Sequence, residues 1–503
     1  MFGNLTFYRV LALSLLILIV HWLLKGVHRL YFHKLSHFPG PRFSAFTRLP
    51  YIIAVATGQI TQYVARLHEK YGEVVRISPD ELSFLHPQAW RDIYGHGSKE
   101  GKGSAPPKFW PRYQSTQVNG VPSLISIQGP AEHARARKIF SPAFSDRALT
   151  QQSPLFMRYA EKLVTSLQQS GKDGATFDMV RMYNFTTFDV MGDLTFGEPL
   201  HMLDSAEYDP WVSIIFDNIK RGVQLGLIYD YYPLVGCLFR ALLHKKVSKL
   251  QHEHSNYSVK RVTKRLEKGR VSEGVDLWDL ILQEQEKGKA GLTRDEMNSN
   301  ASIFMVAGTE TTATLLSGLT FLLLTHPKSM EKLVDEIRGT FSSSYNITME
   351  AIAGLPYLNA CIKEALRRYP PVPGGPPHKT PADGSTICGH YVPPNVFVAA
   401  HQLPTYTSPT FFRDPLDFVP ERWTGDPRYA NDERAVVQPF SVGSRDCLGK
   451  NMAYHEMRLL LAKVVYNFDL ELRPQSQEWL QNQRIFTLWE KMPLLVKVKP
   501  VSA

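Results

Sequence analysis

One short segment near the C-terminus, from Phe440 to Gly449, constrains the fold of this chain most strongly. It places Cys447 directly before a helical pattern, where free N–H groups and the helix dipole favour a thiolate. Gly443 and Gly449 let the backbone turn tightly and lie close to a flat ring. Arg445 can pair with a carboxylate, and Phe440 would pack beside the sulfur. The segment therefore predicts a loop that offers a thiolate ligand to a metal in a planar group.

Cysteine content and charge exclude other classes of protein. The 503 residues include four cysteines, which is too few for a disulfide framework, and no pair has the spacing of a zinc site. We expect Cys237, Cys361 and Cys388 to be buried small side chains. The formal net charge of +10 favours acidic partners or anionic lipid. Because the basic residues are scattered, we expect no nucleic acid partner.

The cysteine segment resembles the haem-binding loop of the cytochrome P450 superfamily, Phe-x-x-Gly-x-Arg-x-Cys-x-Gly, and each fixed position of that pattern matches. The resemblance implies haem b as the cofactor and Cys447 as the axial ligand of its iron. It also implies that Arg445 pairs with a haem propionate. The fold it implies is mainly α with a small β-rich subdomain.

A second match to the family is the pair Glu364 and Arg367, which share a helix face at i and i+3. Alone the pair is uninformative, since a surface ion pair has the same spacing. In the family this pair is buried and is locked by an arginine from a later loop, which is Arg422 here. The implied role of these three residues is structural, because they hold the loop that presents Cys447.

A third match lies in the segment from Ala307 to Thr312, midway along a helix opened by a capping box at Thr293. Gly308 is unfavourable in a helix, and a threonine can bond back to the carbonyl four residues earlier. Small residues and hydroxyls predict a dent large enough for dioxygen, with close helix packing as the alternative. The resemblance implies that Thr311 hydrogen-bonds dioxygen and that Glu310 relays protons.

Two departures from the family pattern concern the haem propionates. Many members have Trp-x-x-x-Arg where this chain has His133 and Arg137, and a histidine can still donate a hydrogen bond. Many members also have an arginine near the position of His378 and Lys379. The resemblance therefore implies propionate contacts from His133, Arg137 and His378, with Lys379 as the alternative to His378.

The N-terminus predicts a membrane anchor. Residues from Leu5 to Leu24 are nearly all apolar, and twenty helical residues span about 30 Å, the thickness of a bilayer core. Basic residues follow and place the rest of the chain in the cytosol, while a cleaved signal peptide is the alternative. We expect an anchor over 1–37, a proline hinge over 38–41 and a haem-thiolate catalytic domain over 42–503, at the endoplasmic reticulum membrane.

The remaining pattern is mainly helical. A hairpin of short strands is predicted over 74–85, with further strands within 372–400. Helices are predicted over most of 131–285, from Thr293 to about His326, from Pro356 to Tyr369 and from Leu448 to about Asn467. Residues 95–122 predict a long loop, because they are rich in Gly, Ser and Pro.

The resemblance covers nearly the whole chain, is greatest to fungal microsomal members, and implies a monooxygenase. Such an enzyme uses O2 and electrons from an NADPH–cytochrome reductase, with cytochrome b5 as an optional second donor. It hydroxylates, epoxidises, desaturates or couples an apolar natural product. Arg445 and Lys450 are candidate members of the reductase-docking surface. Two alternatives stay open: a haem-thiolate isomerase or dehydratase that needs no reductase, and a membrane-anchored binding protein without turnover.

Overall fold

The computed structural model describes residues 2–95, 105–109, 113, 119–169, 173–269, 276–286 and 291–501. Most of the predicted 95–122 loop lies outside this described part. The chain divides into two units. The anchor unit comprises Met1–Phe109 and Gly374–Ser408, and the helical unit comprises Trp110–Pro373 and Pro409–Ala503.

The anchor unit contains all four strands of the largest sheet, in the order Val74–Ser78, Glu81–Phe84, Phe397–Ala400 and His378–Lys379. The first two strands pair antiparallel, as the predicted hairpin requires, whereas Glu81–Phe84 and Phe397–Ala400 pair in parallel. A second hairpin joins Ser385–Ile387 to His390–Val392. The helices of this unit are Phe2–Tyr31, Arg42–Phe46, Leu49–Ala56, Ile60–Tyr71, Pro87–Tyr94 and Gln402–Tyr406.

The N-terminal helix, Phe2–Tyr31, is longer than the predicted apolar run. Within it Tyr8–Tyr31 is long and apolar enough to cross a membrane, and its large apolar side chains are exposed. The proline segment after it packs on the first strand, because Arg76 N–H donates to Pro39 O at 2.7 Å. A Cβ on Gly40 would lie 2.4 Å from Arg76 O, so this close approach requires a glycine.

A neutral hydrogen-bond chain is buried behind the largest sheet. His68 Nδ1 lies 2.7 Å from Gly72 O, which only accepts, so this nitrogen carries the proton. The other ring nitrogen of His68 therefore accepts from Ser83 Oγ at 2.7 Å, and Ser83 Oγ accepts from His401 Nδ1 at 3.0 Å. Burial lowers the pKa of His68 to about 4 and that of His401 to about 3.

The helical unit is dominated by α-helices, as predicted. They are Pro130–Phe140, Asp146–Gln168, Met179–Phe196, Met202–Ser205, Pro210–Tyr231, Pro233–Glu267, Leu277–Glu286, Arg294–Thr325, Pro327–Thr340, Pro356–Arg368 and Lys450–Asn467. Short 3-10 turns occur at Ser141–Phe144, Ser344–Asn346, Pro420–Trp423, Pro427–Tyr429, Arg434–Val436 and Pro474–Ser476. Strands Ala175–Asp178, Leu495–Pro500 and Phe468–Leu472 form a three-stranded sheet, and Arg484–Phe486 pairs with Leu488–Glu490. The strand Ala175–Asp178 interrupts the region that we predicted to be mainly helical.

The long helix, Arg294–Thr325, forms the core of the helical unit. Thr293 caps it through the predicted capping box with Glu296, and it ends before Pro327, as predicted. From Ala313 to Leu323 every side chain is buried, so this half of the helix is surrounded by protein. It packs on the helix Met179–Phe196, where the Tyr183 and Thr320 hydroxyls lie 2.8 Å apart.

The three cysteines outside the metal-binding segment differ in burial. Cys361 is buried, and Cys388 is half-buried with a positive φ of 50°. Cys237 is exposed on the helix Pro233–Glu267, so the prediction that it is buried is wrong. The reason is its neighbourhood, because Val235, Leu238 and Leu242 on the same helix are exposed as well.

Candidate active site

The segment that carries Cys447 is a closed loop before the helix Lys450–Asn467. Cys447 N–H donates to Phe440 O at 2.9 Å, which ties the two ends of the loop together. Ser441 and Gly443 have positive φ values of 61° and 85°, so the chain turns between them as the glycine pattern predicts. Gly449 has an ordinary φ of −88°, and a side chain there would meet nothing within 4 Å. The backbone at Gly449 does not itself require a glycine, and the close approach of a flat ring stays a prediction.

The Cys447 side chain is exposed, yet burial is the main cause that raises the pKa of its thiol. Both statements hold only if the sulfur is surrounded by protein without being covered, so that it lines a recess. The N–H of Gly449 bonds to the sulfur and, with the charges of Arg137 and Lys450, lowers the thiol pKa, while Asp446 raises it. A metal ion that binds such a thiol displaces its proton.

The basic residues near the loop contact backbone oxygens. Arg137 donates to Asp446 O at 2.7 Å and also pairs with the Asp446 carboxylate, directly before Cys447. Arg445 donates to Ile127 O at 2.9 Å and to Gln128 O at 3.0 Å, and burial lowers the pKa of its guanidinium. These contacts fix the loop to the start of the helix Pro130–Phe140.

The two histidines predicted at the propionates lie in different units. His133 is buried on the helix Pro130–Phe140 of the helical unit. His378 belongs to the anchor unit, where it is buried at a strand end, and its Nδ1 lies 2.6 Å from Pro106 O. Its ring also packs edge-on against Tyr94, with ring centroids 4.8 Å apart.

The middle of the long helix bears one exposed alanine. Ala307 is exposed although Phe304, one turn before it, is buried against Phe140 and Phe144. Thr311, one turn after Ala307, is half-buried and donates its hydroxyl to Ala307 O at 2.7 Å, which is the predicted back-bond. This bond uses the single hydroxyl proton of Thr311, so its oxygen can still accept a hydrogen bond.

Gly308 has a packing role. A Cβ built on it would lie 2.8 Å from Met191 Sδ on the helix Met179–Phe196. We predicted that this glycine helps to open a dent for dioxygen, with close helix packing as the alternative. The geometry favours the alternative for Gly308, whereas Ala307 and Thr311 keep the open face.

Glu310 takes part in a buried ion pair that the sequence did not indicate. Its Oε1 pairs with Lys491 Nζ, and the two side chains are 3% and 4% exposed. Lys491 also donates to Thr314 Oγ1 at 2.7 Å, and this hydroxyl donates to Glu310 Oε1 at 3.2 Å. Lys491 lies 181 positions from Glu310 and belongs to no local motif, so no signal in the sequence identified it.

The structure brings Glu364, Arg367 and Arg422 together in a fully buried network. Glu364 accepts two bonds from Arg367, at 2.7 and 2.9 Å, and one from Arg422 at 3.1 Å. Trp423 Nε1 adds a bond at 2.9 Å, and Arg422 also pairs with Asp432. Neither Trp423 nor Asp432 was predicted, although both lie within ten residues of Arg422 in sequence.

The long helix is tied to the helix that follows the cysteine loop. Glu456, on the helix Lys450–Asn467, is buried, and burial raises the pKa of its carboxyl to about 8. A hydrogen bond from Thr312 lowers this pKa in part. The bond joins Thr312, the residue after Thr311, to the helix that follows the cysteine loop. It therefore helps to set the spacing between the open face of the long helix and that loop.

The helical unit, which is mainly α-helical, carries one cysteine in a loop, Cys447, and its sulfur is accessible. The chain belongs to the cytochrome P450 family, whose profile matches residues 39–498. It is 45% identical over 475 residues to "Cytochrome P450 monooxygenase FUM2" of Gibberella moniliformis, covering 94% of this chain and 99% of the relative.

Two further relatives agree. "Cytochrome P450 monooxygenase efuB" of Hormonema carpetanum is 43% identical over 99% of this chain and 98% of its own length. "Cytochrome P450 monooxygenase lcsI" of Purpureocillium lilacinum is 40% identical over 97% and 93%. The chain is therefore a cytochrome P450 monooxygenase, and the family implies a haem-iron cofactor. The residues present fit this group, since Cys447 offers an accessible sulfur inside the protein and Gly449 leaves space beside it.

Proposed function

We propose that this monooxygenase binds haem b through the Cys447 thiolate and uses O2 and electrons from an NADPH–cytochrome reductase to oxidise an apolar natural product. The observation that carries the proposal is the Cys447 sulfur, which lines a recess and accepts a hydrogen bond from the Gly449 N–H. The haem supplies oxygen activation when it is bound, and a thiolate ligand favours cleavage of the O–O bond.

The chain's own residues prepare the ligand. The raised thiol pKa means that Cys447 loses a proton to solvent when the metal binds. The Gly449 N–H and the positive charges of Arg137 and Lys450 then stabilise the thiolate. Phe440, whose ring centroid lies 5.3 Å from that of Tyr454, shields this side of the loop from water.

Arg445, His133, Arg137 and His378 are the proposed propionate contacts. Arg137 already bonds to Asp446, so its first task is to hold the loop and its contact with a propionate is secondary. Arg445 and His133 are both desolvated, and a propionate carboxylate would offer Arg445 a counter-charge.

Protons reach the oxygen-binding face through Thr311 and Glu310. The Thr311 hydroxyl can accept a hydrogen bond while it donates its own proton to Ala307 O. It can donate that proton elsewhere after rotation about the Cβ–Oγ1 bond. Glu310 is the adjacent acid and is buried at the same level of the helix. Together they can hold and pass one proton at a time without opening the recess to bulk water.

The reductase is proposed to dock near the cysteine loop. Lys450 is exposed at the start of the helix Lys450–Asn467, whereas Arg445 is half-buried and bonded to two carbonyls. Of the two predicted docking residues, Lys450 is therefore the better candidate. Lys450→Glu should slow reduction by an acidic reductase, and the difference from wild type should shrink as salt is raised, because salt screens the added repulsion.

The N-terminal helix is proposed to anchor the protein in the endoplasmic reticulum membrane as a single span, with the chain after it on the cytosolic side. Its exposed apolar side chains and the basic residues that follow support this orientation. A pathway of fungal secondary metabolism is the proposed setting, because the most similar relatives come from fungi.

The deciding experiment is the absorption spectrum of the reduced, carbon monoxide-bound protein, for wild type and Cys447→Ser. A strongly red-shifted Soret band that the variant lacks supports thiolate ligation. Well-folded protein that takes up no haem would overturn the proposal. Dependence of product formation on NADPH and reductase then separates a monooxygenase from a haem-thiolate isomerase, and any product excludes a pure binding protein.

A further inference from the structure

The buried ion pair between Lys491 and Glu310 joins the middle of the long helix to the C-terminal hairpin. Lys491 directly follows the strand Leu488–Glu490, and its ammonium contacts both Glu310 Oε1 and Thr314 Oγ1. Thr314 lies one helical turn after Glu310 and donates to the same carboxylate oxygen. Two donors therefore converge on Oε1.

The other oxygen of this carboxylate, Oε2, is buried and has no hydrogen-bond partner among the described residues. Two neighbouring phenols, Tyr208 and Tyr369, interact electrostatically with Glu310. Burial is the main cause that raises the pKa of Tyr208 to about 12 and that of Tyr369 well above its ordinary value. Both phenols stay neutral near pH 7, which leaves Lys491 as the counter-charge of Glu310 in the described part of the chain.

Stability alone does not account for this pair. Removing two charges from water is costly, and an apolar pair of similar volume often gives a fold that is equally or more stable. A carboxylate with one saturated and one open oxygen is also a poor structural element, because a buried polar atom without a partner is unfavourable. It suits a group that must take up and release a proton at one atom.

We propose that Lys491 is a positioning residue for proton transfer: it pairs with Glu310 and occupies Oε1, so that Oε2 is the atom that takes and releases the proton. The proposal rests on the proposed role of Glu310 as a proton relay. The proton arrives at Oε2 and leaves from Oε2, and Lys491 itself transfers no proton. No other bond forms or breaks.

The test uses the haem-loaded full chain with reductase and needs no known substrate. The rate of NADPH oxidation and its solvent isotope effect are measured against pH for Lys491→Met, Lys491→Arg, Glu310→Gln and the double variant Lys491→Met with Glu310→Gln. Lys491→Met loses the ammonium that pairs with Glu310 and occupies Oε1, so proton transfer is no longer confined to Oε2 and the variant should behave as Glu310→Gln does. We expect each to lower the rate about tenfold. The double variant should be as slow as each single variant, and Lys491→Arg should keep most of the rate.

A second readout, the unfolding midpoint of the same proteins, separates proton transfer from support of the fold. Lys491→Met leaves a buried acid without its partner and should lower the midpoint, whereas the neutral double variant should recover it. If the double variant also recovers the NADPH oxidation rate, the pair is structural and the proposal is overturned. Lys491→Gln, which keeps a donor and loses the charge, serves if Lys491→Met does not fold.

The outcomes also distinguish this inference from the function on which it rests. A normal rate and isotope effect in Glu310→Gln would remove Glu310 from the proton path altogether. An impaired Glu310→Gln beside an unaffected Lys491→Met would retain the relay and overturn the role of Lys491 alone. The carbon monoxide spectrum of each variant shows that haem loading is equal.

Discussion

Of the glutamates buried on helices of the helical unit, Glu364 and Glu310 differ in the number of hydrogen bonds that their carboxylates accept. Glu364 accepts five, from Arg367, Arg422, Trp423 and the backbone N–H of Val419, so both of its oxygens are occupied. Glu310 accepts from Lys491 and Thr314 at Oε1, and its Oε2 has no partner in the described structure. A carboxylate whose two oxygens both accept hydrogen bonds is suited to fixing a loop. A carboxylate with one oxygen that accepts none is suited to taking up and releasing a proton.

The largest expected effect comes from the saturated site. Glu364→Gln keeps the volume but removes the buried charge that Arg367 and Arg422 share, while Arg422 keeps Asp432, so we expect a loss of roughly 3–5 kcal/mol in the free energy of unfolding. Glu310→Gln removes a carboxylate with two donors and should cost less. Chemical denaturation of the haem-loaded protein measures both values. Glu471→Gln, at an exposed ion pair, is the control and should change little. Equal losses at Glu364 and Glu310 would contradict the distinction between the two sites.

The neutral hydrogen-bond chain of His68, Ser83 and His401 in the anchor unit is a third buried polar site. It tests how stability depends on pH where the hydrogen bonds are made but no charge is buried. Burial lowers the pKa of His68 to about 4 and that of His401 to about 3. Below the ordinary histidine pKa of about 6.5, both imidazoles take up a proton in the unfolded chain, whereas in the folded chain they do so only near these lowered values. Stability should be complete above about pH 6.5 and should fall towards pH 4, by on the order of 3 kcal/mol per histidine.

Amide hydrogen exchange of the strand Glu81–Phe84 at several pH values reports this loss without a variant. Replacing both His68 and His401 by glutamine should flatten the acid limb of the stability profile, whereas the same change at the exposed His37 should not. A profile with no slope between pH 4 and 6.5 would show that the pair does not stay neutral in the folded protein.

A smaller effect is expected where a charged donor holds the cysteine loop. Arg137→Met removes two bonds to Asp446 and should cost about 1.5–3 kcal/mol, together with faster haem loss. Arg135→Met on the same helix breaks an exposed pair with Glu296 and should cost about 0–1 kcal/mol. The two variants are compared by thermal unfolding and by transfer of haem to an acceptor protein. A smaller loss in Arg137→Met than in Arg135→Met would refute the loop-holding role.

The smallest expected effect concerns Gly308, two residues before Glu310. Gly308→Ala pushes against Met191 and should cost about 1 kcal/mol, since the side chain of Met191 can partly yield. Adding Met191→Ala should relieve the clash at Gly308. Gly339→Ala, where a Cβ meets nothing, is the matched control and should stabilise the protein slightly. A change in NADPH oxidation without a change in stability would instead support the predicted dioxygen dent.

Local sequence signals predicted the elements that local interactions fix. The long helix was placed almost to the residue because the capping box at Thr293 and the proline at 327 are encoded next to its ends. The short strand Ala175–Asp178 was missed because it exists by pairing with Leu495–Pro500 at the other end of the chain. Its own four residues alternate between apolar and polar, but so short a run does not distinguish a strand from a turn of helix.

The candidate site divides in the same way. The residues of the cysteine loop and the Glu364 network follow a pattern that sequence alone displays. Lys491 and the Met191 contact of Gly308 arise from tertiary packing between distant segments, and single residue types at those positions carry no pattern. The sequence also did not predict that Asp432 is buried against Arg422, because an acidic residue in a loop is ordinarily solvated.

The raised pKa of Cys447 has a consequence for the newly made chain before it receives its cofactor. A thiol that stays protonated near pH 7 is a slow nucleophile, so alkylating agents, peroxides and other thiols react with it sluggishly. The proposed haem ligand is therefore slow to react with such agents before the cofactor binds. If haem binds this sulfur as proposed, the thiol proton is released to solvent, so loading should be favoured by higher pH.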